Sequence, residues 1–238
     1  MTDLSELRFF KTPAHECSYL PGKEATTLFV DPMAEIDTDV YSALSAVGFR
    51  RSGDHIYRPF CENCQACIPV RVPVHTFQLQ RGQKRTLKRN QDLVVKPQTP
   101  YYSDRYYQLY ERYINQRHMD GDMFPASPDQ FSSFLVDGRK EAIFFEITRN
   151  RELIGVAVVD ELADGLSAIY TFFEPDEAKR SLGKFAILWL IEECKARGLP
   201  YLYLGYWIQE CQKMSYKADY KPLQMYVNNQ WMTQFGKI

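Results

Sequence analysis

The second half of the chain alternates between apolar runs and short polar breaks. Ala142 to Thr148, Leu153 to Val159 and Leu166 to Phe173 are apolar runs of strand length. They are separated by Arg149-Asn150-Arg151 and Ala163-Asp164-Gly165, so the pattern predicts three strands joined by short turns. A helix is predicted from about Leu182 to Ala196, with Gly198 just past its end and Pro200 after it. Tyr201 to Trp207 reads as a further strand. A loop follows, carrying Cys211, Lys213, Met214, Tyr216 and Lys217, and the last predicted strand lies near Met225-Tyr226-Val227.

The first half is less regular. Residues 1 to 37 read as irregular or short-stranded, with Leu28-Phe29-Val30 as a strand. Asp37 or Thr38 caps a helix that puts Val40, Tyr41, Leu44 and Val47 on one face and ends at Gly48. Phe49 to Pro59 has the form of a hairpin about Ser52-Gly53-Asp54, and an extended run follows from Ile68 to Phe77. Ser103 caps a helix from Asp104 to about His118, with Tyr106, Tyr107, Tyr110, Tyr113 and Ile114 toward a core. Ser127-Pro128 starts a short helix that runs to about Val136.

Between these lies a stripe that is not apolar. Arg81, Lys84, Arg85, Lys88 and Arg89 recur at the spacing of one helical face, and no acidic residue occurs from Thr76 to Gln91. Like charges stacked this way weaken a helix slightly, and a solvated face normally mixes signs. The stripe therefore points to a polyanionic partner. The formal net charge over 238 residues is -1, so the basic character is local.

No apolar run is long enough to span a membrane. The opening Met1-Thr2-Asp3-Leu4-Ser5-Glu6 lacks the pattern of a signal peptide, so a cytoplasmic location is expected. There the six cysteines are expected as reduced thiols or metal ligands. Cys61-x-x-Cys64-x-x-Cys67, with Cys17 as a fourth ligand, has the thiol count for zinc or an iron–sulfur cluster.

Three strands, helix, strand, loop and strand, with short helices before them, form an α+β order. This order resembles the acyl-CoA N-acyltransferase fold, in which two neighbouring strands splay to hold an acyl donor. Here those are Leu166–Phe173 and Tyr201–Trp207. The resemblance implies an acyltransferase-like domain over 81–238, opened by the basic helix, behind a small cysteine-containing module over 1–80. At the phosphate-binding helix start, Arg180 and Gly183 match the usual coenzyme A signature, but Phe185 stands where a small residue is required.

Several segments together resemble the aminoacyl-tRNA–protein transferases of the N-end rule. They are His15-Glu16-Cys17-Ser18-Tyr19-Leu20, Tyr57-Arg58-Pro59-Phe60-Cys61 through Cys67-Ile68-Pro69-Val70-Arg71, the basic helix, and Tyr203-Leu204-Gly205-Tyr206-Trp207-Ile208 with Lys213-Met214-x-Tyr216-Lys217. The compact chain is similar to the bacterial branch, the aspartate/glutamate leucyltransferases. That resemblance implies leucyl-tRNA as donor and proteins beginning with Asp or Glu as acceptors, marked in this way for degradation. Related eukaryotic enzymes carry a Cys-x-x-Cys pair where this chain has Cys17-Ser18-Tyr19-Leu20, so the second thiol is missing.

The implied chemistry needs no cofactor. The donor ester is already activated, and an α-amine with a pKa of about 7.7–8.0 is partly neutral near pH 7. The protein must align the two, accept a proton and stabilise an oxyanion. Tyr206 and Tyr216 are candidates for that work. Arg71, then Arg58, are candidates for the acceptor carboxylate, since a planar guanidinium suits it. Tyr170 and Trp207 are expected to line the donor side-chain pocket. Lys213 and Lys217, with the stripe from Arg81 to Arg89, are expected to contact tRNA. Three alternatives stay open: an arginyl donor, a coenzyme A-dependent N-acetyltransferase, and a non-catalytic metal-containing nucleic-acid-binding module.

Overall fold

A computed structural model describes residues 4–234; Met1, Thr2 and Asp3 of the opening stretch lie outside them. The strands are β1 (Phe9–Lys11), β2 (His15–Glu16), β3 (Glu24–Ala25), β4 (Thr27–Val30), β5 (Arg50–Ser52), β6 (His55–Pro59) and β7 (Ile68–Pro73). They continue as β8 (Val94–Gln98), β9 (Ala142–Arg149), β10 (Glu152–Leu162), β11 (Gly165–Phe173), β12 (Tyr201–Trp207), β13 (Leu223–Val227) and β14 (Gln230–Gln234). The α-helices are α1 (Thr38–Ala46), α2 (Arg81–Arg89), α3 (Asp104–Arg117), α4 (Pro128–Phe131), α5 (Leu182–Ala196) and α6 (Gln212–Ser215).

The main sheet runs β14-β13-β7-β12-β11-β10-β9-β8. All its pairs are antiparallel except β11 with β12, whose connection passes through α5. The apolar runs of β9 to β11 have a direct cause. Successive strand residues point to opposite faces, and both faces are covered. Phe144 packs edge-on against Tyr106 of α3, while its neighbour Phe145 meets Trp189 of α5. Both phenylalanines are fully buried, as is the run Val156 to Val159 apart from a trace at Ala157. The predicted helix caps are also in place: the Asp37, Ser103 and Ser127 side chains accept from backbone N–H groups in the first turns of α1, α3 and α4.

Two edge strands escape the pattern. β8 contains Pro97, and β14 is mostly polar; each has only one neighbour, which relaxes both demands. β7 also differs from expectation. It lies in the middle of the main sheet, between β12 and β13, with Val70 and Val72 buried, so it belongs physically to the acyltransferase-like part rather than to a module ending at residue 80.

The smaller sheet, β1-β4-β6-β5, packs with α1 around Val30, Tyr41, Leu44, Phe49 and Ile56. Leu162 and Tyr203 of the main sheet complete that core, so the two layers share it. At the joint, Arg51 of β5 makes a two-point pair with Asp160 of β10, at 2.6 and 2.7 Å. Tyr41 adds a third bond to Asp160 at 2.5 Å, and neither charged side chain has any solvent exposure. Gly138 is required beside it, because a Cβ there would stand 2.7 Å from the Arg51 guanidinium.

Removing one member of a buried pair strands the other charge. Asp160→Asn is expected to lose about 3–5 kcal/mol of folding stability, read as a lower urea midpoint at unchanged slope. Glu192→Gln, which breaks a surface pair with Lys195, is expected to cost less than about 1 kcal/mol.

Candidate active site

β11 and β12 pair only through Gly165–Tyr201, Leu166–Leu202 and Ser167–Tyr203, and then part. β12 instead follows β7 to its end, with a register shift between Tyr203 and Gly205. Gly205 adopts φ of 75°, and a Cβ there would lie 3.2 Å from Arg50 Nε. Glycine at this position leaves room for Arg50 to reach across to β11. Its guanidinium donates to the Ser167 hydroxyl at 2.5 Å and to the Ala168 carbonyl. On the other strand, Lys217 Nζ donates to the Tyr206 carbonyl at 2.5 Å and to Met214 Sδ at 3.2 Å. Strands that no longer pair need other donors for their carbonyls, and two cations supply them. Neither has an ion-pair partner among the described residues. Burial and the Arg50 charge lower the Lys217 pKa to about 7.

A cleft of about 870 Å³ opens beside this parting. Its first wall comes from the small sheet and the thiol segment, including Tyr57, Arg58 and Phe60. The facing wall carries Tyr170 of β11, Tyr206 of β12, the loop residues Lys213 and Met214, and Tyr226 of β13. The segment after α3 closes one side with His118 and Met123. Two contacts tie this segment down: Lys213 to Asp120 at 2.7 Å and Ser18 to Asp122 at 3.3 Å.

The two arginine candidates separate sharply. Arg71 donates to Gln224 at 2.8 Å and to the Tyr203 hydroxyl at 2.9 Å, and lies 3.7 Å from Asp164. Its guanidinium also stands over the rings of Tyr201 and Trp231, at 3.5 and 4.2 Å from their centres. It is buried and fully engaged and does not line the cleft, so the structure does not offer it to an acceptor. Arg58 does line the cleft, stacked over Phe49 at 5.0 Å. Among the described residues its only bond is a long one, 3.5 Å to the Val47 carbonyl, and its buried Nε has no partner.

The remaining candidates are scattered. The Tyr206 hydroxyl is buried and donates to the Gly48 carbonyl at 2.8 Å, holding β12 against the small sheet. Tyr216 is exposed beside Lys217. Tyr170 faces the cleft from a group of rings, Tyr110, Tyr113 and Phe134, and burial raises its pKa. Trp207 belongs to the main core and donates to the Ser215 carbonyl at 3.2 Å, so it does not form the cleft wall. Lys213 stays on the cleft wall, paired to Asp120. Lys217 is buried, which removes it from phosphate as a surface contact. All five stripe residues of α2 are exposed, while Gln83, Thr86 and Asn90 are buried and bond to backbone carbonyls. Arg180 of the phosphate-like signature is engaged by Asp92 and Glu177.

The thiols gather on the first wall. Cys17, Cys64 and Cys67 pack with Leu20, Ile208 and Cys211. Burial, reinforced by the neighbouring thiols, pushes Cys67 up to about 12, so it is neutral near pH 7. Cys61 points its thiol to the Thr26 carbonyl at 3.7 Å. Among the described residues no group of three or more His, Cys, Asp or Glu side chains is placed to hold a metal ion.

Sequence reasoning passed over Arg50 and His118. Arg50 carries no motif, although the Gly205 that admits it stands in the most specific segment. His118 is a lone histidine at a helix end.

A sheet of this order, parted between its parallel strands beside a substrate-sized cleft, defines an acyltransferase-type protein. Comparison with known proteins is specific. The family model described as Arginine-tRNA-protein transferase, N terminus, matches residues 15–85, and that for the C terminus matches 105–227. An aspartate/glutamate leucyltransferase of Pseudomonas fluorescens (strain SBW25) is 54% identical over 233 residues, 98% of this chain and 99% of that protein. One from Marinobacter nauticus is 55% identical over 231 residues, 97% and 98% of the two chains. This chain belongs to the aspartate/glutamate leucyltransferase family. Among solved structures, L-PGS from Bacillus licheniformis gives a TM-score of 0.42 at 13% identity, over 61% of this chain and 48% of that one. The ribosomal-protein-S18-alanine N-acetyltransferase from Escherichia coli gives 0.34 at 20% identity, over 46% and 64%.

Charged hydrogen bonds of the kind Arg58 has free are worth about 1.5–3 kcal/mol. Arg58→Ala is therefore expected to lower kcat/KM for peptides beginning with Asp or Glu by about tenfold to a hundredfold. Affinity for charged tRNA, measured by filter binding, is expected to stay unchanged.

Proposed function

We propose that this chain transfers leucine from leucyl-tRNA to the α-amine of proteins beginning with Asp or Glu, marking them for degradation, in the cytoplasm where charged tRNA is made. The observation that carries the reading is the likeness to leucyltransferases over nearly the whole chain at more than half identity. No described helix is long and apolar enough to cross a membrane.

The chemistry is an aminolysis. The acceptor nitrogen attacks the ester carbonyl, a proton leaves the nitrogen, and the bond to the ribose oxygen breaks. Alignment of amine and ester supplies up to about 7–11 kcal/mol in good intramolecular cases, and oxyanion donors add about 3–4. A cleft that holds both substrates out of water fits that division of labour. Arg58, with no carboxylate partner, supports a site for the acceptor side chain. Tyr170, Met123 and Met214 form an apolar patch on the walls and support a leucyl pocket. The exposed stripe of α2 supports the tRNA contact, and Lys179 and Lys184 at the start of α5, the helix on which α2 packs, extend it.

The test is transfer of labelled amino acid from leucyl-tRNA and arginyl-tRNA to peptides beginning with Asp, Glu, Lys or Arg. Leucine on Asp and Glu peptides alone is expected. Arginine in its place would change the donor, and no transfer from either would overturn the reading. In the same system, neutralising Arg81, Arg85 and Arg89 to Gln is expected to flatten the salt dependence of tRNA affinity by about two to three in log–log slope.

A further inference from the structure

Two imidazoles line the cleft, His15 and His118; His15 Nδ1 lies 3.2 Å from the Pro13 carbonyl, whereas the chemistry above has not used His118. His118 ends α3 and lines the cleft beside Met123 and the aromatic group of Tyr170. Its ring packs on Tyr113 at 4.9 Å, and Tyr113 in turn touches Tyr170 at 6.3 Å. This places the imidazole on the side of the parted strand β11. Neither ring nitrogen makes a hydrogen bond to a described residue. Three polar groups near the cleft are committed elsewhere: the Tyr206 hydroxyl to Gly48, Lys213 to Asp120, Lys217 to the Tyr206 carbonyl. An imidazole with both nitrogens free of protein partners is available to a substrate.

Resting on the reading of leucyl transfer, we propose that His118 is the base that takes the proton from the attacking α-amine and returns it to the leaving ribose oxygen. The amine nitrogen forms its bond to the ester carbon, and the carbonyl electron pair moves to oxygen. One N–H proton passes to a ring nitrogen of His118. When the intermediate collapses, the carbon–oxygen bond breaks and the imidazolium gives its proton to the tRNA hydroxyl. Protons and electrons balance within the two substrates and the one side chain, and the base is regenerated.

The electrostatic setting favours this use. Burial lowers the pKa of the imidazole from its ordinary value, and the charges of Lys213 and Arg117 lower it further; Asp120 opposes them. Tyr113 on α3 is the other titratable group against the ring, and its own pKa is raised by burial, so it stays neutral. The imidazole is therefore unprotonated at neutral pH and able to accept. Positioned acid–base groups contribute about 10²–10⁴ in rate.

The test compares the wild type with His118→Gln and His118→Ala at saturating leucyl-tRNA and acceptor. Both variants are expected to lose kcat by about 10²–10⁴ while tRNA affinity and acceptor KM stay within a few-fold. The wild-type kcat is expected to fall at low pH with an apparent pKa below about 6.5, the ordinary histidine value, as the imidazole protonates. That limb should vanish in His118→Gln. Added imidazole is expected to restore leucyl-peptide formation to His118→Ala, following the titration of free imidazole. His118→Gln within threefold of wild type, or an unchanged acid limb, would overturn the proposal while leucyl transfer stands. Loss of tRNA affinity without imidazole rescue would assign His118 a structural role and also overturn it. No transfer by the wild type from any charged tRNA would overturn both readings.

Discussion

The parting of β11 from β12 is the constraint on which the rest depends. Continuous parallel pairing would satisfy the backbone of both strands and leave no opening. Pairing stops after Ser167 and Tyr203, and the sheet then needs donors that are not amides. Arg50 and Lys217 fill that role from opposite sides, one on β11 and one on β12. Neither has a carboxylate partner among the described residues, and Lys217, its pKa lowered to about 7, is only partly charged near neutral pH. Both are committed to strand carbonyls, so their part is to hold β11 and β12 in the parted arrangement that the cleft opens beside.

The small sheet makes this possible through strand geometry. Arg50 and Arg51 are neighbours on β5 and therefore point to opposite faces. Arg51 turns into the joint and grips Asp160; Arg50 turns outward beneath Gly205 and reaches the parted strands. The buried pair sets where β5 sits, and β5 sets where the Arg50 guanidinium arrives. Such a pair gains little over an apolar contact in net stability, yet it specifies one arrangement of the two layers. The first wall of the cleft, with Arg58 on β6, is positioned by the same joint through the β5–β6 hairpin.

Much of the fold was legible because burial on both faces writes itself as unbroken apolar runs, as in β9 to β11. The place of β7 was not, since an extended run says nothing of its distant partners β12 and β13. The site was legible in its segments and not in its roles. Arg58 and Arg71 look alike along the chain, each in a strand among apolar neighbours. Tyr203, Gln224, Tyr201, Trp231 and Asp164, all far away in sequence, withdraw Arg71 from the cleft. Lys213 and Lys217 are four residues apart, yet one is exposed and paired and the other is buried on a carbonyl. The cysteine spacing says nothing of the apolar company of Leu20 and Ile208, in which burial keeps the Cys67 thiol neutral.

On the reading proposed above, selectivity for an acidic first residue would rest on what Arg58 lacks. Arg58 has a buried, unpartnered Nε, which is costly until something accepts from it. On that reading, a carboxylate would meet the guanidinium charge. A neutral first residue would leave the guanidinium without a counter-charge, and a basic one would add like charge near Arg58. Discrimination then arises as much from unfavourable wrong complexes as from a favourable right one. The same charge would assist the chemistry. A positive neighbour keeps the acceptor α-amine from holding its extra proton, so more of it arrives in the form that attacks the ester.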